Sequence, residues 1–169
     1  TQALLVFALT LAGRYEEARA AANDLINTAE AAHNPFALSL ALYAHGLALR
    51  DTDPRHALEL LRRGLVIARD SGNPYTETLL AGGLCRLEAE HGDPSAALDF
   101  AALAIRNFYD AGNTTGVRVA LAGIVPCLER IDRIEPAAII AGFASSPLSA
   151  ALPEFNTALA HLQETLGEA

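Results

Sequence analysis

The feature that most constrains this chain is a regular recurrence of helix-start signals. Asn or Asp precedes Pro at Asn34, Asp53, Asn73 and Asp93, at spacings of 19 or 20 residues. A side-chain oxygen of Asn or Asp can accept a hydrogen bond from the unpaired amides of a helix, and Pro is tolerated at the first helical position because it needs no donor there. Each pair therefore predicts the start of a new helix, and Asn113 continues the series.

The residues between these signals favour helix over strand. Leu58, Leu61, Leu65 and Ala68 recur at intervals of three or four, which is the period of one helix face. No segment alternates apolar and polar residues with the period of two that a half-buried strand requires. Turns such as Ser-Gly-Asn around Gly72 place a glycine where a helix ends in a left-handed residue. The sequence therefore predicts an all-α chain.

Two successive helices form one repeat of about 40 residues. Ala57 aligns with Ala97 in the next copy, and Gly72 aligns with Gly112. A helix pair cannot bury its apolar face alone, so stacked neighbours must supply the core. The prediction is an α-solenoid of about four helix pairs, in which small residues such as Ala18 let neighbouring helices approach closely.

A single domain over residues 1–169 is expected, with a separate helix at its end. The predicted repeats are 1–33, 34–72, 73–112 and 113–145, followed by a capping helix over 152–167. In that helix Phe155, Leu159, Leu162 and Leu166 form a one-sided stripe, which indicates a cap that protects the last repeat. The alternative is a helix that docks on a partner or dimerises. Because the chain begins at Thr1 without Met, we expect it to be a piece of a longer protein.

Composition excludes several functions. The formal net charge is −8 and all 12 basic residues are Arg, so a nucleic-acid or anionic-membrane surface is not expected. Without Lys there is no Schiff-base nucleophile and no Walker-type phosphate loop. No targeting or transmembrane segment is recognisable, which leaves the cytoplasm as the expected location.

Other candidates for chemistry are more simply explained by structure. The two cysteines, Cys85 and Cys127, lack zinc-site spacing and are expected to be buried thiols, with a disulfide left open. The five histidines are dispersed and suit turns, helix ends or packing. Glu88 and Glu90 are two residues apart on a helix, so they do not share a face and are expected to be surface charges. We predict no catalytic, cofactor or metal site.

Residues 13–18 (Gly-Arg-Tyr-Glu-Glu-Ala) resemble the inter-helix turn of the tetratricopeptide repeat, a family of right-handed helical solenoids. Pro54 and Pro94 stand where that family has an aromatic, and these repeats exceed its usual 34 residues. Longer, alanine-rich repeats of this type are similar to those of large actinobacterial ATP-binding LuxR-type transcriptional regulators and multidomain adenylate cyclases. The stretch 135–143 resembles the end of that region. The resemblance implies that the nucleotide-binding, cyclase and DNA-binding parts lie outside this chain.

The resemblance also implies a recognition surface on the inner face of the solenoid. Alignment to the tetratricopeptide pattern predicts six inward-facing residues: Ser39, Tyr43, Arg50, Arg86, Glu90 and Arg130. Arginines in such a row could bind a carboxylate or an acidic peptide; the alternative is a merely solvated face.

The expected function is therefore a non-catalytic interaction or regulatory module of a bacterial signalling protein. Its expected partners are a protein segment or neighbouring domains of the same chain, with a homo-oligomer left open. The alternative function is a sensor that holds a small-molecule effector in the groove of the superhelix. No cofactor is expected.

Overall fold

The computed structural model describes residues 2–12 and 14–167, which form nine α-helices and one short 3₁₀ helix. The α-helices are α1 (Gln2–Leu11), α2 (Tyr15–Ala31), α3 (Pro35–Leu49), α4 (Pro54–Asp70), α5 (Pro74–His91), α6 (Pro94–Asp110), α7 (Thr114–Arg130), α8 (Ile134–Ala144) and α9 (Pro153–Leu166). The 3₁₀ helix is Ser149–Ala151, and the described residues include no strand. The predicted all-α class is confirmed. Gly13, the glycine of the tetratricopeptide-like turn at residues 13–18, lies outside the described residues.

The helix starts follow the predicted signals. At five of them a side-chain oxygen accepts a hydrogen bond from a first-turn amide at 2.8–3.2 Å. The capping residues are Asn34, Asp53, Asn73, Asp93 and Asn113. Each cap satisfies one of the amides that a helix leaves without an internal partner, and such a bond stabilises a helix by about 1 kcal/mol.

The helix ends follow the predicted turns as well. Gly72 and Gly112 have φ angles of 64° and 66°, the left-handed conformation that glycine adopts without a Cβ penalty. His33, which occupies the matching site after α2, has a φ of 51°. Asp132, between α7 and α8, also adopts the left-handed conformation, with a φ of 59°, and this was not predicted. These residues redirect the chain so that each helix returns along its predecessor.

The helices group into two compact units, Thr1–Leu84 and Cys85–Ala169, and the division falls within α5. In the first unit α1 packs on α2, α2 on α3 and α3 on α4, and α1 also contacts α3. In the second unit α6 packs on α7, α7 on α8, and α9 on both α7 and α8. Within each unit, therefore, helices pack on their neighbours in sequence, as stacked repeats require.

Alanine lies at the centre of these contacts. In the first unit Ala18 and Ala22 of α2 pack with Ala44 and Ala48 of α3, and all four are at most 2% exposed. In α4 the predicted stripe is buried, with Leu61 and Ala68 fully enclosed. Small side chains let the helix axes approach, so the leucines between them lose nearly all contact with water, which contributes about 1.5–3 kcal/mol for each large apolar side chain.

Candidate functional site

Three of the six predicted inner-face residues lie in the first unit. Ser39 is fully buried, and its hydroxyl donates a hydrogen bond to the Phe36 carbonyl at 3.0 Å. Tyr43 is 8% exposed. Both side chains are enclosed because α3 is packed against α1, α2 and α4, so they offer little surface to a partner. Arg50 is partly exposed, and its Nε donates to Oδ1 of Asp51 at 3.0 Å.

The other three predicted residues lie in the second unit. Arg86 of α5 places Nη1 3.6 Å from Oε1 of Glu154, at the start of α9. Arg130 donates through Nη1 to the Ala89 carbonyl at 2.8 Å, at the end of α5. Glu90 is exposed, and its Oε2 lies 3.4 Å from Nε2 of His91. Arg86 and Arg130 thus contact groups of their own unit, and a partner-binding role for them stays a prediction.

The prediction that Glu88 is a surface charge is wrong. Glu88 is 1% exposed, and its Oε2 accepts a hydrogen bond from the Asp93 amide at 3.0 Å, across the turn between α5 and α6. Glu90, two residues on, faces solvent as predicted. The two carboxylates lie in different surroundings, as their spacing of two residues indicates. That spacing does not show which of them reaches the following turn.

The second unit carries an apolar surface that the sequence reasoning missed. Ile139 and Phe143 are one turn apart on α8 and are 69% and 61% exposed. A shallow groove of about 290 Å³ lies between α8 and α9, and Gly142, Leu159 and Leu166 are among the residues that line it. We call Ile139, Phe143 and this groove the α8 surface. The signal in the sequence was the uniformly apolar run 137–143, which has no polar side chain to face water.

A cation borders the α8 surface. The Cζ atom of Arg118, on α7, lies 5.6 Å from the centroid of the Phe143 ring. A guanidinium at that distance is attracted to the ring by about 0.5–1 kcal/mol at an exposed site. Arg118 is itself exposed, and its planar fork of donors suits a carboxylate. The surface therefore combines apolar side chains with one positive charge at its edge.

The histidines do not converge on a site. His33 confirms the predicted helix-end role, because its Nδ1 lies 3.1 Å from the Ala31 carbonyl. His45 of α3 is 6% exposed and meets His56 of α4 edge to face, with ring centroids 6.2 Å apart. The His45 Nδ1 is buried without a hydrogen-bond partner among the described residues. Burial, then the positive charges of His56 and Arg19, lower the pKa of His45 below its ordinary value near 6.5.

Because of that lowered pKa, we expect the chain to lose stability in mild acid. Below about pH 6.5 His45 is protonated in the unfolded chain but still neutral in the folded chain. As the pH is lowered, the free energy of unfolding therefore falls until the pH reaches the lower pKa of the folded state. Above that window His45 contributes no pH dependence. Urea unfolding at about pH 7.5 and about pH 5.5 should show a smaller loss for His45→Gln than for the parent chain. The same loss in both would contradict this role of His45.

The two cysteines are buried thiols, as predicted. Cys85 and Cys127 are both free, and each Sγ is directed at a backbone carbonyl, that of Gly123 at 3.8 Å and that of Pro94 at 3.2 Å. Burial raises the pKa of Cys85 to about 12 and also raises that of Cys127. Both therefore stay protonated at neutral pH and have little nucleophilic character.

Residues 2–12 and 14–167 lack two further features. No cluster of three or more His, Cys, Asp or Glu side chains there could hold a metal ion. No helix in that part of the chain combines the length and the apolar character needed to cross a bilayer.

Comparison with known proteins adds no family. No family model and no curated protein matches this sequence. An assignment of function therefore depends on the residues themselves.

Proposed function

We propose that this chain is a non-catalytic interaction module that binds a protein segment on the α8 surface. The observation that carries the proposal is the exposure of Ile139 and Phe143, which lie one turn apart and are both more than half accessible. Adjacent large apolar side chains are costly to leave in water, and contiguous patches of them mark interaction sites on soluble proteins.

The partner is a segment that presents two apolar side chains and a carboxylate. The apolar pair would cover Ile139 and Phe143. Arg118 at the edge of Phe143 supplies the complement to a carboxylate, with donors in a planar fork. An amphipathic helix with an acidic residue at one end has this order of groups.

A protein segment suits this surface better than a small molecule does. The groove of about 290 Å³ is slightly smaller than the range of about 300–1,000 Å³ that is typical of ligand clefts. Ile139 and Phe143 are largely exposed and do not enclose a cavity. The resemblance to repeats of large bacterial regulators agrees with a module that receives a neighbouring domain or a partner protein in signalling.

The test is affinity capture from lysate of the organism that makes the chain, with the parent chain and Ile139→Glu/Phe143→Glu as baits. We expect a captured protein whose recovery falls by roughly tenfold or more with the double variant, since two buried anchors are lost. Tyr109→Glu is the matched control, because Tyr109 is 76% exposed on α6 and lies outside the α8 surface. Equal recovery with all three baits would contradict the proposal.

Thermal unfolding in the presence of a panel of metabolites distinguishes the alternative function, a small-molecule sensor, from protein binding. A small-molecule ligand held in the superhelix groove would raise the thermal midpoint of the isolated chain. The proposed interaction predicts no such shift without a protein partner.

A further inference from the structure

The C-terminal helix of the second unit is seated mainly on α7 and less on α8, its nearer neighbour along the chain. Phe155, Ala158 and Leu162 of α9 are each 2% exposed. They form one apolar cluster with residues of α7 and α8, among them Val125 and Ala141. Phe155 and Leu162 of the predicted stripe therefore cover an apolar surface that α7 and α8 would otherwise expose, whereas Leu166 is 47% exposed.

Two side-chain contacts hold α9 at this position. Glu154, in its first turn, reaches Arg86 of α5 at 3.6 Å, and His161, two turns later, pairs with Glu129 of α7. Arg86 is one of the arginines that the sequence predicts to receive a carboxylate from a partner. In the second unit that carboxylate is supplied by the chain's own helix.

The fit of α9 at Glu154 is imperfect. The Glu154 side chain is 10% exposed, and its Oε1 accepts no hydrogen bond from the described residues. A buried carboxylate with one long ion pair and no hydrogen bond at that oxygen recovers only part of its lost hydration. Leu152 precedes α9 and provides no side-chain cap, whereas α6 and α7 are capped by Asp93 and Asn113. Both features lower the local stability of α9 relative to α7, the helix that it contacts most.

We propose that α9 is a displaceable helix, and that the partner which replaces it is an amphipathic helix with an acidic first turn. The replacing helix carries the groups of α9 in the same order: a carboxylate for Arg86, an aromatic at the next position, and small and leucine-sized residues four and eight positions after the carboxylate. Such a helix keeps the apolar cluster covered. Its own carboxylate can form the hydrogen bonds that Oε1 of Glu154 lacks. The module then has an occupied and an exchanged state, with α9 as the resident competitor.

Hydrogen exchange of the intact chain tests whether α9 opens by itself. We expect α9 amides to exchange faster than those of α7, and Glu154→Gln to accelerate exchange in α9 while α6 and α7 keep their parent rates. Arg106→Gln, an exposed arginine on α6, is the control and should leave α9 unchanged. Exchange of α9 and α7 amides at one common rate, as in global unfolding, would overturn the proposal, and this readout on the parent chain does not depend on any variant folding.

A labelled peptide of residues 153–166 tests the partner. Fluorescence anisotropy of the peptide should show binding to the Glu154→Gln chain that is roughly tenfold tighter than binding to the parent chain. In this variant α9 is held less firmly, and Arg86 has lost the carboxylate of Glu154 and can pair with that of the peptide. Arg86→Gln also weakens α9, but it removes the guanidinium that would pair with the carboxylate of the peptide. This variant should therefore show no gain in affinity for the peptide. Equal gains in both variants would indicate a merely structural ion pair and would sink the proposal.

Two further experiments distinguish replacement of α9 by a foreign helix from binding elsewhere and from exchange between copies of this chain. Ile139→Glu/Phe143→Glu should bind the peptide as the parent does, which distinguishes α9 exchange from binding at the α8 surface. Sedimentation should show monomers of the Glu154→Gln chain. A dimer that forms by exchange of α9 between copies would overturn the assignment to a foreign helix.

Discussion

Replacement of Gly46 by leucine should lower the free energy of unfolding by about 3 kcal/mol, the upper part of the range for overpacked cores. A Cβ on Gly46 of α3 would lie 2.8 Å from Cγ and Cδ2 of Leu61 on α4, and 3.3 Å from the Ala57 carbonyl. Leu61 is fully buried and Ala57 contributes backbone, so neither can withdraw without separating the two helices. The pair α3 and α4 is the most extensive helix contact in the first unit, which makes this separation costly.

Urea unfolding followed by circular dichroism measures the loss, and Gly82→Leu is its matched control. Gly82 also lies within a helix of the first unit, but a Cβ built there meets no described atom within 4 Å. That substitution should leave stability unchanged or raise it by up to about 1 kcal/mol, because leucine favours helix over glycine. Equal effects of the two substitutions would show that helix propensity, and not the close approach of α3 and α4, governs both positions.

The sequence was sufficient to predict the helices because their boundaries are set by local chemistry. Asn34 and Asp53 cap the helices that follow them, and Gly72 and Gly112 adopt the left-handed conformation that ends a helix. These interactions join residues within one or two turns, so their positions in the sequence determine their geometry. The same holds for buried stripes such as Leu61 and Ala68, because their spacing defines one face.

The surroundings of single polar residues could not be predicted in this way. Glu88 and Glu90 are equivalent in the sequence, yet one is buried and the other is exposed, because only Glu88 can reach the Asp93 amide. His45 is buried in an apolar helix, beside His56 of the next helix. Such contacts depend on how neighbouring helices rotate about their axes, and hydrophobic periodicity constrains that rotation only to within a residue or so.

The candidate site shows the same limit. The alignment that predicted inward-facing residues placed Ser39 and Tyr43 on a surface, and they are buried because α3 is covered by three helices. Arg86 was selected as a recipient for a carboxylate, and a carboxylate does lie near it, but from α9 of the same chain. The α8 surface was missed because a run of apolar residues gives no sign of which ones stay uncovered.

Replacement of Glu88 by leucine should lower the free energy of unfolding by about 1.5–3 kcal/mol, the range for a lost hydrogen bond to a charged group. Its carboxylate joins the end of α5 to the start of α6 through the Asp93 amide, and a Cβ at Gly92 would collide with that carboxylate. Arg130 of α7 donates to the carbonyls of Glu88 and Ala89 at 3.3 and 2.8 Å, so three helices meet at this point. Leucine keeps the bulk but cannot accept the bond.

Glu90→Leu is the matched control, since it removes the same charge two residues away at an exposed position and should change stability by no more than about 0.5 kcal/mol. Glu88→Gln retains an acceptor oxygen and should recover part of the loss. The order of stability expected in urea is therefore parent and Glu90→Leu, then Glu88→Gln, then Glu88→Leu. If Glu88→Leu matched Glu90→Leu, the turn would be stable without its buried acceptor, and the meeting of α5, α6 and α7 would depend on apolar packing alone.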